Sequence, residues 1–142
     1  MTEHFTLAEL TYSPTAVRLS IDQTPPPSVL ANLQKTAESM EQVRALLGHP
    51  IKVNSGYRSI PLNKAVGGSA KSDHVNGWAV DFVCPGFGTP KDVCRAIMES
   101  DIDFSQCIYE GTWCHISFKD AKRQVLTAHF ANGKATYTEG IA

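Results

Sequence analysis

Four residues have the types and the spacing to do chemistry together: His74, Asp81, Glu110 and His115. His74 and Asp81 sit in SAKSDHVNGWAVDF, residues 69–82, as a His-x6-Asp pair. A catalytic zinc commonly takes three ligands from His, Asp or Glu and keeps a fourth position for water. His115, in WCHISF, is the best third ligand, because it falls mid-strand, where an unpaired imidazole is costly. A hairpin turning at Gly111-Thr112 sets Glu110 opposite Trp113 and Ile108 opposite His115. Glu110 and His115 are then diagonal neighbours on one sheet face, roughly 7–8 Å apart at the backbone. A carboxylate beside a metal-bound water is what a metallopeptidase needs as general base. On spacing alone, however, a loop histidine, a structural aspartate and a core histidine remain the default, since His-x6-Asp is not specific.

These residues must be positioned by a small set of elements. TLAE, residues 6–9, has a capping-box pattern and opens a short helix. TPPPS, residues 24–28, cannot be helical throughout. After it, Leu30, Leu33, Ala37, Met40, Val43 and Leu47 recur at helical spacing, so the main helix is expected over roughly 28–47 and stops at Gly48. Strands are expected at 51–54 and 78–83, the second with Asp81 at its centre. Thr89 and Pro90 open a helix over 90–99. Two hairpins close the chain, 106–118 and 127–137, the latter around Asn132-Gly133. Interleaved helices with two hairpins favour an α+β fold.

A chain of 142 residues is the size of one domain and long enough for a real core. One domain, 1–142, is expected. Hydrophobic residues make up 42% and charged residues 19%, which excludes disorder and fibrous repeats. A formal charge of −1 gives no basic face for a nucleic acid. No apolar run is long enough to span a bilayer, and the N-terminus lacks the pattern of a secretion signal, so synthesis into the cytoplasm is expected. Cys84, Cys94, Cys107 and Cys114 contain no C-x-x-C pair and read as reduced, partly buried thiols.

Five blocks, HFTLAEL, SGYRS, LNKAVGGS, SDHVNGWAVDF and WCHISF, occur in the order and spacing of the zinc-dependent D-Ala-D-Ala carboxypeptidase family, peptidase family M15. The chain resembles its small phage and prophage members over about residues 4–118. Ser72, His74, Gly77, Ala79 and Asp81 match the family's S-x-H-x-x-G-x-A-x-D block, and Trp113 and His115 its W-x-H block.

The resemblance implies one zinc per chain on His74, Asp81 and His115, and a hedgehog/D-Ala-D-Ala-peptidase-like fold with a small central antiparallel sheet. It implies that Arg58 binds a substrate carboxylate or a polarised carbonyl, with Ser72 and Tyr57 also on the substrate. Several members carry the catalytic glutamate three residues before the last histidine, where this chain has Thr112. Glu110 lies five before, where related members with an I-x-E segment carry theirs; Asp73 is the fallback base. Asn63 and Ser69 are expected to tie the LNKAVGGS loop to the sheet by side-chain bonds to backbone, and His4, His49 and His129 to be surface or cap residues. The implied substrate is the peptidoglycan stem peptide, cut at a bond between D-amino acids or at the L-Ala-D-Glu junction. The implied role is that of a phage or prophage lysin, monomeric and released onto the wall. The rival is a non-catalytic zinc-containing module of the same fold that binds peptidoglycan or a protein.

Overall fold

The computed structural model describes residues 1–141. Among these, the elements run α1 (Leu7–Thr11), α2 (Pro14–Arg18), α3 (Pro27–Leu47), β1 (Lys52–Ser55), α4 (Ile60–Ala65), β2 (Ala79–Val83), α5 (Pro90–Glu99), β3 (Gln106–Tyr109), β4 (Cys114–Ser117), β5 (Gln124–Ala131) and β6 (Lys134–Glu139).

Three of the five helix starts among the described residues, α2, α4 and α5, combine a hydroxyl cap with proline in the first turn. Thr89 accepts the Asp92 N–H and the Asp92 carboxylate accepts the Thr89 N–H, a reciprocal box with Pro90 at the first position. Thr6 caps α1 by accepting the Glu9 N–H at 3.0 Å. The same combination, Ser13-Pro14 and Ser59-x-Pro61, starts α2 and α4, two short helices not anticipated from periodicity. Both are too short to display a 3.6-residue repeat. The main helix α3 follows Pro26 with no side-chain cap and ends where the Gly48 N–H bonds the Arg44 carbonyl at 2.9 Å.

The six strands form one sheet in the order β1-β2-β4-β3-β5-β6. The expected antiparallel sheet is in fact mixed: four pairings are antiparallel, but β3 and β5 run parallel. The chain leaves β4 and crosses through 118–123 to lie beside β3, so the second hairpin joins the first in parallel rather than continuing its meander. Its turn is tight, with Asn132 at φ 52° and Gly133 at φ 73°, both left-handed as a two-residue hairpin requires.

One face of the sheet packs on α3 and α5. Val80, Phe82, Cys107, Cys114 and Ile116 meet Leu33, Met40 and Val43 of α3 and Val93, Cys94 and Ile97 of α5, all fully buried. Each large apolar side chain so buried stabilises by roughly 1.5–3 kcal/mol. The opposite face of β2, β4 and β3 carries Asp81, His115 and Ile108 in one cross-strand row. β2 is therefore buried on both sides, with core behind and polar groups in front.

Candidate metal centre

Asp81 lies directly opposite His115 in the β2–β4 ladder, so both side chains leave the same face. His115 Nδ1 is 2.8 Å from Asp81 Oδ1. His74 reaches the same carboxylate from the turn before β2, with Nε2 3.3 Å from Oδ2. That turn is pinned at three points: the Arg58 N–H donates to the His74 carbonyl, the Gly77 N–H donates to the same oxygen, and the His74 N–H donates to Ser72 Oγ at 3.2 Å. His74 Nδ1 lies 2.7 Å from the Gly56 carbonyl oxygen. A carbonyl only accepts, so Nδ1 carries a proton, and Nε2 is the nitrogen turned toward Asp81 and the cleft. The two imidazoles stand edge to face, centroids 5.2 Å apart at 64°.

Burial opposes ionisation of Asp81, but the charge of His74 and the hydrogen bonds from both histidines outweigh it and hold the carboxyl well below the usual carboxylate range. Burial likewise pulls His115 down, while its bond to Asp81 and the charges of Asp81 and Glu110 push it up, for a net rise. Two imidazoles on one ionised, buried carboxylate make a concentrated donor set. Their ligand atoms lie within 4.8 Å of one another. The set fits a divalent cation of zinc's type: two imidazole nitrogens, one carboxylate oxygen and an open side toward the cleft. The Gly56 carbonyl on His74 is the kind of contact that would orient this imidazole for a metal.

The hairpin turn falls where the sequence places it. The Glu110 N–H bonds the Trp113 carbonyl at 3.1 Å, and Ile108 pairs with His115. Glu110 thus leaves on the metal-centre face and lines the same cleft, where Trp113 Nε1 donates to its Oε2. Burial raises the Glu110 carboxyl, and Asp81 adds to the rise, against the opposing effects of His115 and the Trp113 hydrogen bond. Asp73 also lines the cleft, but its carboxylate accepts from Ser117 Oγ at 2.7 Å and sits 3.6 Å from Lys119 Nζ. It is committed to those partners.

Arg58 is held as a fork, with Nε to Ser55 Oγ at 3.3 Å, Nη1 to Asn63 Oδ1 at 3.3 Å and Nη2 3.5 Å from Asp81 Oδ2. Asn63 also donates to the Ser69 carbonyl at 2.8 Å, so it ties the 66–72 loop to α4 rather than to the sheet. Ser72 lines the cleft and holds the His74 backbone. Tyr57 does not reach the cleft, contrary to expectation. It is 6% exposed within the hydrophobic core, because its N–H bonds the Leu10 carbonyl and turns the residue under α1. His4 and His129 are exposed, bonded to Glu41 and Thr138, and His49 is exposed as well.

The cleft holds about 520 Å³ between the 66–72 loop and the two hairpins. Lys71, Lys119, Phe130 and Tyr137 also line it, and no motif in the sequence marks them. Pairing outward from Asn132-Gly133 was the available signal for the two aromatics. Behind the sheet, Cys94, Cys107 and Cys114 form a second cluster, wholly buried rather than partly. Cys107 and Cys114 approach to 3.8 Å, and all four cysteines are free. Burial pushes the Cys114 thiol well up, as expected for an inert core thiol.

No helix of the described residues is long and apolar enough to cross a membrane. Comparison with curated proteins gives no match. A protein-family model described as Peptidase M15 matches residues 3–117, a span containing His74, Asp81, Glu110 and His115 and ending at the last residue of β4. The chain belongs to the Peptidase M15 family.

Proposed function

We propose that the chain is a zinc metallopeptidase that hydrolyses a peptide bond in the stem peptides of bacterial peptidoglycan, as a D-Ala-D-Ala carboxypeptidase or an L-Ala-D-Glu endopeptidase. The observation that carries this reading is the convergence of His74, Asp81 and His115 on one point of a cleft that Glu110 also lines. When held by these three residues, zinc supplies a Lewis acid and a water whose pKa lies near neutrality. Glu110, its carboxyl raised toward the range of a working base, takes the proton of the attacking water and returns it to the leaving amine. Arg58, oriented by Ser55 and Asn63, binds a substrate carboxylate or the carbonyl under attack. Lys71 and Lys119 on the rim suit the carboxylates of a stem peptide. The biological role that accords with this chemistry is a phage or prophage lysin, active as a monomer once it reaches the wall.

The test is zinc stoichiometry by elemental analysis beside wall-lysis activity, before and after chelation. One zinc per chain, with activity lost on chelation and restored by Zn²⁺, is expected. Zinc without cleavage would make the chain a binding module, and absence of zinc would overturn the metal assignment.

A further inference from the structure

Two of the large apolar side chains most open to solvent, Phe130 at 60% and Tyr137 at 52% exposure, lie on the wall of the cleft. The sheet register explains their position. Leu126 pairs with Ile108, and Ala128 with Tyr137, so Leu126, Ala128, Phe130 and Tyr137 share the face that carries Asp81 and His115. At the level of Glu110 the row continues through Ala128 to Tyr137, with Phe130 diagonal to Tyr137 one step beyond. Tyr137 is therefore two strands from Glu110, roughly 10 Å at the backbone. Ala128, 8% exposed, is a small floor between them. β6 is exposed along its length, and the hairpin lies outside the residues that match the family.

We infer that Phe130 and Tyr137 form a subsite that takes the sugar ring attached to the stem peptide. This rests on the peptidoglycan reading above and adds specificity-determining residues to it. Exposed aromatics contiguous with a polar reaction site point to a ligand surface. Of the groups in a stem peptide, an alanine methyl is too small to cover two rings, and a carboxylate is repelled by their negative faces. A pyranose presents a flat array of C–H bonds of matching size and sign. The separation of roughly 10 Å corresponds to about three extended residues, so one substrate can reach both the metal centre and the rings.

The experiment compares two substrates on the zinc-loaded protein: a stem peptide still linked to its disaccharide, and the same peptide with the sugar removed. Wild type is expected to favour the sugar-linked form. Phe130→Ala and Tyr137→Ala are each expected to raise KM for that form roughly 5- to 10-fold, with kcat, zinc content and sugar-free cleavage unchanged, and Tyr137→Phe to restore KM. An equal loss on both substrates would mean that the rings touch peptide, and no loss on either that they touch nothing; each overturns the inference alone. Cleavage of neither substrate by wild type would overturn the peptidoglycan reading, and the inference with it.

Discussion

Asp81 and His115 face each other across β2 and β4 with Oδ1 and Nδ1 2.8 Å apart, so the sheet itself sets one edge of the candidate metal centre. Only His74 arrives from a turn, and the Gly56 carbonyl fixes its tautomer. Asp81 therefore matters to the proposed site in two senses, as a candidate ligand and as the charge both imidazoles share. Asp81→Ala is expected to purify with almost no zinc and no measurable peptidase activity. Asp81→Asn keeps the shape but loses the charge, and should bind zinc at least about 10-fold more weakly. Elemental analysis and competition with a chromogenic chelator read both.

Glu110→Gln separates metal from catalysis. The amide retains the Trp113 contact but takes up no proton, so zinc content should match wild type while kcat falls about 10²- to 10⁴-fold. Asp73→Asn, by contrast, should leave kcat within a few-fold of wild type. A variant at Glu110 with normal kcat would move the base elsewhere.

The metal-free protein has a pH dependence of its own. Asp81 is depressed below its ordinary 3.8, so its contribution to stability is present above that value and is lost as pH falls through the folded pKa. His115 is raised above 6.5, so its contribution is full below 6.5 and is lost as pH rises through the folded pKa. Chelated protein should thus be most stable between these two values and weaken on the alkaline side. Zinc requires deprotonated ligand nitrogens, so the stabilisation it gives should grow over the same rise. Melting curves of chelated and zinc-loaded protein should diverge as pH increases; a constant gap would contradict the ligand assignment.

Gly56 joins the fold to the site. A Cβ there would meet the Leu10 carbonyl oxygen at 2.4 Å, and the Gly56 carbonyl holds His74. Gly56→Ala is expected to destabilise the protein by about 1–3 kcal/mol through overpacking, and to weaken zinc binding as the loop shifts. Urea titration and zinc competition measure the two effects on one sample.

The four thiols should resist modification in the native state, being buried and, at Cys114, well above the usual thiol pKa. A chromogenic disulfide reagent should count four thiols after denaturation and almost none before.

Much of this arrangement is legible in the sequence because local rules act over short spans. The main helix, β2, the capped α5 and the Gly111-Thr112 turn follow from periodicity, capping and turn chemistry, and the turn alone brings Glu110 to the correct face. The parallel docking of β5 on β3 is different. It depends on where the chain goes after β4, which no local pattern states, and with it went the cleft wall formed by Phe130 and Tyr137. Tyr57 shows the opposite limit. Its place beside Gly56 and Arg58 gives it a site residue's neighbours, but one backbone hydrogen bond to Leu10 decides that it faces the core.

The parallel ladder between β3 and β5 also bears on solubility. Without β5 and β6, the outer N–H and C=O groups of β3 would lie bare beside Cys107 and Ile108, a short apolar template for pairing with another molecule. The appended hairpin moves that edge out to β6, whose exposed lysine, threonines and glutamate make poor cross-molecular partners. Trimming the chain after β4 would therefore produce clumping as well as removing the cleft wall that Phe130 and Tyr137 form.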